Sequence, residues 1–525
     1  MSSFRNTFAL TARGGLAGLL SGFTALAVAE LVAGLVRPAA GPVTVVGGAV
    51  IDLTPAAVKD YAIRTFGESD KFVLQLGILV LLSLFALFLG VLAVRFRRVG
   101  AAGVLLFGIV GAVAALSRPD SAGAGDVLPS LAGAVVGAAV LYVLAGKAAL
   151  ASSPSGDGGT GGGWSRRGFL AAATVTAAAA TGAGVLGRTV SGQRGQGAIA
   201  SRGNLALPAP ASPAPPVPPG AQLKVPGISE FTTPNRDFYR VDTALVVPKI
   251  DAGTWRLRIH GKGVTRPRTY TLEQLLARPL IERDITLACV SNEVGGPYIG
   301  NARWLGVPLA GLLAECGVKP PSKGGTADQL VARSVDGMTL GSPVEDVMDG
   351  RDAILAVGMN GEPLPFDHGF PVRMLVPGLY GYVSACKWIE DIELTTFDAY
   401  DPYWVKRKWA RRAPIKTQSR IDTPKPFARP AAGTVVIAGV AWAQRRGITR
   451  VEVRIDDGSW QDADLAVQDT VDTWRQWSHR WQAAPGGHTI TVRATDGTGQ
   501  TQTEQRTPTI PDGASGWHSV FVTIA

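Results

Sequence analysis

Three cysteines in 525 residues, Cys289, Cys316 and Cys386, are too few for a disulfide framework. Cys316 and Cys386 can still pair with each other outside the cytoplasm, and spacing does not decide it. Histidine is missing from a whole half: none precedes His260, and Met1 is the only methionine in the same stretch. That absence removes the usual axial ligands and excludes a haem-b electron conduit from the first half. Arg and Lys are absent from residues 16–36 and 72–94. The formal net charge of +10 comes from scattered residues, and short basic loops beside apolar runs account for it by topology, so no nucleic acid is expected as a partner.

What the first half has is apolar length, in a chain that is 46% hydrophobic. Residues 16–36 and 72–94 are each long enough to cross about 30 Å of hydrocarbon as helices. Residues 99–116 and 127–145 are shorter or richer in Gly and Ala, and close packing against the first pair would support them as spans. The expectation is an all-α, four-helix transmembrane region over residues 1–150. Glu30, close to Arg37, reads as an interfacial residue more readily than as part of a proton path. The basic loop "RFRR" (95–98) should stay cytoplasmic, which places the N-terminus inside, the 37–71 loop outside and the end of the fourth helix inside.

Residues 151–223 form the expected linker. The Gly/Ser run "SSPSGDGGTGGG" leads into Ser165, Arg166, Arg167, Gly168, Phe169 and Leu170, then an Ala-rich apolar stretch to about Leu186. The order resembles a twin-arginine export signal, here internal. Two positive-inside arginines before a fifth apolar helix would satisfy topology equally. Such signals serve passengers folded before export, often around a cofactor, which implies a cofactor-loaded domain outside a multi-pass cell-membrane anchor. The run "LPAPASPAPPVPPGA" (207–221) should be polyproline II, a semi-rigid stalk of about 45 Å.

Residues 224–425 mix β-like runs, "TWRLRIHG" and "RDITLACV", with helix-like ones, "TLEQLLAR" and "LAGLLAECG", and read as an α+β domain. From 426 to 525, alternating runs separated by "DDGS", "APGG" and "TDGTG" read as an all-β immunoglobulin-like sandwich.

A single cysteine at the end of an apolar run is by default a buried structural thiol. Its surroundings, "TLACVSNEVGGPYIGNARWLGVPLAGLL", resemble the cofactor segment of the sulfite oxidase family of molybdenum enzymes, in which one thiolate ligates a metal held by a pterin dithiolene. The resemblance runs over residues 231–525 and implies Cys289 as the metal ligand; a soft thiolate suits a metal already bound by sulfur. In "FTTPNRDFYRVD" it implies that Phe238, Tyr239, Arg240 and Asp242 line the pocket, with Arg240 facing the oxo groups and any anionic substrate. In "DHGFPVRMLVPGLYGYVSACKW", His368, Arg373 and Lys387, with Ala385 and Cys386 beside them, match the family's pterin-phosphate segment. Asp336 matches a pterin-contacting Asp loosely. Trp304 matches a pocket tryptophan, and as a bulky apolar wall it fits a core position too.

The pattern departs from true sulfite oxidases at three places. Val294 stands where they have an Arg, Trp409 where they have an active-site Tyr, and Asp512 where they have an Arg before a Gly. A pocket with two fewer cations should bind sulfite poorly. The resemblance therefore implies molybdopterin-dependent, two-electron oxygen-atom transfer on a small molecule, with the reacting site at Cys289, Arg240, Trp304 and Trp409. It further implies a separate electron-transfer partner, a dimerisation-type C-terminal domain compatible with a homodimer, and no haem. The competing reading is a redox-silent, membrane-anchored binding or adhesion protein that kept the fold.

Overall fold

The computed structural model describes residues 2–55, 58, 65–66, 70–118, 121, 123–150 and 166–525. The Gly/Ser linker, Ser165 and most of the stretch 56–69 lie outside the described residues. The chain divides into two compact units, one of Met1–Gly197 with Thr243–Val247, the other of Ala198–Asp242 with Pro248–Ala525.

The helices of the first part are α1 (Ser2–Leu35), α2 (Pro42–Leu53), α3 (Asp70–Arg95), α4 (Arg97–Ser117), α5 (Leu128–Leu150) and α6 (Arg166–Gly203). Among the described residues, five helical segments are long and apolar enough to cross a membrane: Phe8–Leu35, Phe72–Arg95, Arg97–Ser117, Ala124–Ala149 and Arg167–Gly203. Small residues set their spacing. A Cβ on Gly18 would lie 2.0 Å from the Ala86 carbonyl, and one on Gly90 2.2 Å from that of Gly14, so α1 and α3 touch backbone to backbone. On α5, a Cβ at Gly133 would meet the Ala25 carbonyl at 2.3 Å, and Ser21 donates its hydroxyl to Gly137 O at 2.8 Å. After α1, Arg37 grips the buried carboxylate of Asp126 through two hydrogen bonds of 3.0 and 2.6 Å. α6 runs on past the apolar stretch that reaches about Leu186 and continues to Gly203, with no proline before Pro208 to interrupt it.

The expectation of a free Pro-rich stalk is also corrected. Ala211 and Ser212 donate their N–H groups to Leu280 O at 2.8 and 3.2 Å, and Glu282 returns a bond to Ser212 O at 2.9 Å. Leu205, Leu207 and Val217 pack on the core, and Ala221 is buried. Prolines cannot donate to a ladder, but the residues between them can, so the segment straps the edge of the second unit.

The second unit begins its sheets with β1 (Arg256–Gly261), β2 (Arg268–Thr271), β3 (Ile281–Ala288), β4 (Ile299–Pro308), β5 (Gln329–Ser334), β6 (Thr339–Pro343), β7 (Ile354–Met359), β8 (Glu362–Pro363), β9 (Arg373–Leu375) and β10 (Ile389–Thr395). One sheet runs β2-β1-β10-β5-β6, with β1 and β10 parallel; the other runs β3-β4-β7-β8, with β9 on β7. β1 alternates exposed Arg256 and Arg258 with buried Leu257 and Ile259, as a half-covered strand should. β7, "ILAVGM", is buried throughout, and both of its faces are apolar. The predicted helix in "TLEQLLAR" is present at Leu272–Leu276, started by a capping box in which Thr271 and Gln274 satisfy each other.

Two four-stranded sheets follow: β11 (Gln418–Thr423), β12 (Gly433–Trp442), β16 (Arg475–Ala483) and β15 (Asp464–Leu465) in one, β14 (Gln461–Asp462), β13 (Ile448–Ile455), β17 (Gly486–Asp496) and β18 (His518–Ile524) in the other. Ile421, Val435 and Ile437 of the first share one core with Val451, Val453, Ile490, Val492 and Val520 of the second.

Candidate functional site

β3 delivers Cys289. Its last residue is Ala288, after which Cys289 N donates to Tyr298 O at 2.9 Å and Cys289 O accepts from Asn292 N at 3.1 Å, closing a loop. The Asn292 carboxamide oxygen accepts from Tyr298 N at 2.8 Å and pins the far end. Gly295, at φ +81, leaves room for the His518 ring, which a Cβ there would meet at 2.2 Å. The Cys289 thiol is pushed up by burial, while hydrogen bonds from the Ser291 N–H and hydroxyl and the Lys387 charge act in the opposite direction.

Residues 231–242 lie along β4. Thr233 N donates to Asn301 O at 2.8 Å, and Asn301 Nδ2 donates to Phe231 O at 3.0 Å. This brings Phe238 onto Gly300, where any Cβ would meet the ring at 2.8 Å. Phe238 then stacks on Tyr239 at 5.2 Å and meets Trp304 and His368 edge-on at 5.8 and 5.5 Å. The Tyr239 hydroxyl stays protonated: burial is the main cause, and the Cys289 sulfur next to it adds to it.

The third element is the returning segment 366–388. Met374 N donates to Cys386 O at 2.8 Å and Val376 N to Ser384 O at 3.1 Å, so the two limbs run side by side. Gly369, at φ +109, sits 3.1 Å from both Arg373 and Lys387 by its would-be Cβ, drawing His368, Arg373 and Lys387 together. His368 Nε2 donates to Asn235 O at 2.9 Å, and burial, reinforced by the Arg373 charge, holds its pKa down at about 4. It is therefore a neutral imidazole with Nδ1 as an acceptor. Lys387 Nζ reaches Asp242 at 2.8 Å and Asp367 O at 3.1 Å. Arg240 donates to Asp242 at 3.1 Å and pairs with Asp367 at 3.5 Å. Arg373 is buried with its guanidinium 5.0 Å from the Trp304 ring centre, and desolvation brings its pKa down to about 10. Its Nη1 donates to His368 O at 3.1 Å, but its Nε has no partner among the described residues.

Phe238, Tyr239, Arg240, Asp242, Cys289, Trp304, His368, Arg373 and Lys387 thus converge. Trp304 is fully buried, with Nε1 on Ile285 O at 3.2 Å, and is a wall behind Arg373 instead of an open pocket face. Ala385 packs at the edge of the same apolar group, while Cys386 is wholly buried in the main core. Asp336 sits in the turn after β5, its carboxylate accepting from Met338 N at 3.3 Å, and its charge adds to the burial that raises the Cys386 thiol. Trp409 belongs to another aromatic group, with Tyr382 at 5.6 Å and Trp404 at 6.1 Å. All three cysteines are free thiols. Sequence reading passed over Asn235, Ser291, Tyr298 and Tyr380. Ser291 was legible as a hydroxyl two residues from the thiol, whereas Asn235 acts through its carbonyl, which leaves no mark in a sequence.

The oxidoreductase molybdopterin binding domain, as a family, matches residues 244–404. Mitochondrial sulfite oxidase of Mus musculus is 30% identical over 293 residues, 48% of this chain and 53% of that protein. The chain carries a molybdopterin-binding oxidoreductase domain similar to that of the sulfite oxidases. The inducible NADH nitrate reductase 2 of Glycine max is 30% identical over 322 residues, 49% of this chain and 36% of that protein. The sulfane dehydrogenase SoxCD of Paracoccus pantotrophus, a solved structure, aligns with a TM-score of 0.48 and 26% identity over 56% of this chain and 82% of that chain. The chain spans about half the length of the curated sulfite oxidases it matches.

The family's cofactor is molybdopterin, and the residues present fit it. A buried guanidinium with an unused N–H is costly alone and is satisfied by an anionic group. Arg373 and Lys387 would provide such a place. Cys289, which like Arg373 lies near enough to Tyr239 to act on it by charge, would provide the single sulfur.

Proposed function

We propose that the chain is a membrane-anchored, extracytoplasmic oxidoreductase that transfers an oxygen atom to or from a small substrate at a molybdenum centre ligated by Cys289. The observation that carries this reading is the orphaned Nε of buried Arg373, aimed within a cluster that also holds Cys289, Tyr239 and Lys387. Arg373 and Lys387 bind the anionic end of the pterin, and the bound molybdenum cofactor supplies the two-electron couple. Ser291 steadies the Cys289 sulfur as a thiolate by donating two hydrogen bonds to it. Tyr239 and Phe238 exclude water from the thiolate side, and Arg240 presents a half-buried cation to substrate. Oxidation of a substrate by one oxygen atom taken from water releases two protons and two electrons; the reverse reaction consumes them. A separate electron carrier completes the balance.

The five apolar helices and the Arg166-Arg167 motif support the anchor and the export, and the paired C-terminal sheets support an immunoglobulin-like module able to form a homodimer. Asp512 in place of a cation supports a substrate other than sulfite. The test is molybdenum and pterin content of the full chain beside Cys289→Ser. Stoichiometric metal in the parent, with changed coordination or loss in the variant, is expected. A folded parent that stays metal-free in a cofactor-rich host overturns the reading in favour of an anchored binding protein.

A further inference from the structure

Between Asp401 and Lys416 the chain carries Lys406, Arg407, Lys408, Arg411, Arg412 and Lys416 against a single carboxylate, Asp401. Arg411 pairs with Asp401 at 2.8 Å, Lys416 pairs with Asp512 at 2.8 Å, and the Arg407 guanidinium lies 3.5 Å from the Tyr403 ring centre. Lys406, Lys408 and Arg412 remain exposed, and among the described residues none has a carboxylate within ion-pair distance. Lys406 and Arg412 instead stand over the rings of Tyr400 and Phe397, at 5.1 and 5.6 Å, which holds them in place.

The loop is not a loose charged run. Ala410 N donates to Pro511 O at 2.9 Å, the Tyr382 hydroxyl donates to Ala410 O at 2.7 Å, and Tyr380 N donates to Ala413 O at 2.9 Å. Its inner side is therefore the short helix Gly381–Ser384, whose first residue would place a Cβ 3.7 Å from Ala288 O and 4.0 Å from the Tyr239 hydroxyl. The cationic surface is the outer face of a layer whose inner face abuts the residue before Cys289. Trp409, 6% exposed, and Tyr382 are the aromatics inside that layer.

We propose that the 406–412 loop is the docking surface for an acidic electron-carrier protein, whose carboxylates pair with Lys406, Lys408 and Arg412. This rests on the oxidoreductase reading, which requires a carrier. An oxygen-atom transfer moves two electrons, so a one-electron carrier docks twice per turnover, and weak contacts steered by charge serve repeated encounters. A lipid surface fits less well: the loop exposes no large apolar side chain to insert, since Trp409 is buried and Trp404 packs on Tyr403 at 5.1 Å.

The test uses the full chain in neutral-lipid nanodiscs, an acidic flavodoxin as probe, and the triple variant Lys406→Gln, Lys408→Asn and Arg412→Gln. Association is followed by interferometry and electron exchange by stopped flow, with an uncharged small-molecule mediator as control. In the parent, association should weaken about tenfold or more as salt rises. The variant should bind about tenfold less at low salt with a flattened salt slope, while the mediator exchanges electrons as fast as before. No salt-dependent association in the parent, or an unchanged slope in the variant, overturns the proposal. So does protection of Lys406 and Lys408 from amine labelling in anionic but not neutral nanodiscs, which would assign the loop to lipid headgroups. A mediator that leaves the metal unreduced would sink the oxidoreductase reading instead, and the association data decide the docking surface independently of it.

Discussion

Arg373 lies wholly inside the second unit with its guanidinium over the face of Trp304, and its Nε donates to nothing among the described residues. A cation kept this way weakens the cofactor-free protein and strengthens the loaded one.

That opposition gives the first prediction. Arg373→Met removes the desolvated charge but keeps the side-chain volume over Trp304. The cofactor-free protein should melt at the same or a higher temperature, while cofactor retention falls by about 10- to 100-fold, the loss of roughly 1.5–3 kcal/mol from charge-assisted hydrogen bonds. Pterin fluorescence after dialysis, set beside thermal melts, measures both. If the two fall together, Arg373 is only a packing residue.

Acid should loosen the second unit through its two buried imidazoles. His368 and His518 are both held down at about 4, first by burial and then by neighbouring arginines, against an ordinary value of 6.5. The folded state thus binds fewer protons than the unfolded chain between those pH values, so stability is present above about 6.5 and is lost as pH falls towards 4. For buried His368 the loss is up to about 3 kcal/mol. Asp496 acts in the same sense at lower pH: against burial, hydrogen bonds from Thr498, Thr417 and Arg446 hold its carboxyl well below its usual range, so its contribution is lost only as pH falls below the ordinary carboxylate range. Denaturant titrations at several pH values, followed by tryptophan fluorescence, should show a slope from 4 to 6.5 that shrinks in His368→Gln. An identical slope in that variant would falsify the assignment.

The sequence revealed more of the site than of the architecture. Cys289, His368, Arg373 and Lys387 were legible because their chemistry is specific and their spacing survives in the chain, and the structure gathers them. The alternating runs from 433 onwards were legible as strands for the same reason that β1 was, a period of two. What was not legible depends on partners distant in sequence. Residues 207–221 have the composition of a free spacer, yet Ala211 and Ser212 find Leu280 and become a strap. Trp409 was aligned to a pocket tyrosine, and packing sends it to Tyr382 and Trp404 instead. β11 hides in "QSRIDT", a run without apolar alternation, because its polar groups are satisfied inside: Ser419 on Gln502 at 2.7 Å and Arg420 on Asp422 at 2.7 Å.

The three thiols should separate cleanly in function. Cys289→Ser is expected to lose or reshape metal binding with little cost to folding, since the sulfur stands at a loop and Ser291 can still donate to a hydroxyl. Cys386→Ala and Cys316→Ala remove wholly buried atoms from the main core and should cost stability, about 0.5–3 kcal/mol each, with metal content preserved. Metal analysis with chemical denaturation on the three variants distinguishes them, and metal loss in Cys386→Ala would give that thiol a role the geometry does not.

Asp512 decides the charge at the rim. Its carboxylate takes the Lys416 ammonium at 2.8 Å, while the same ammonium donates to Gly513 O at 2.6 Å, and Gly513 lies so close to Tyr380 that a Cβ would meet the hydroxyl at 2.7 Å. Tyr380 in turn feels both Asp512 and the Cys289 sulfur, beyond the burial that chiefly raises its pKa. The Lys416 charge is thus cancelled a short way from the thiolate. The pair is half-exposed, so breaking it should cost only about 0.2–1 kcal/mol. Asp512→Asn should leave folding nearly intact and free one positive charge at the rim. KM for sulfite should then fall several-fold, and KM for an uncharged sulfoxide should stay the same. Steady-state kinetics on both substrates make the comparison. An equal change in both would mean that Asp512 shapes the pocket without setting its charge preference.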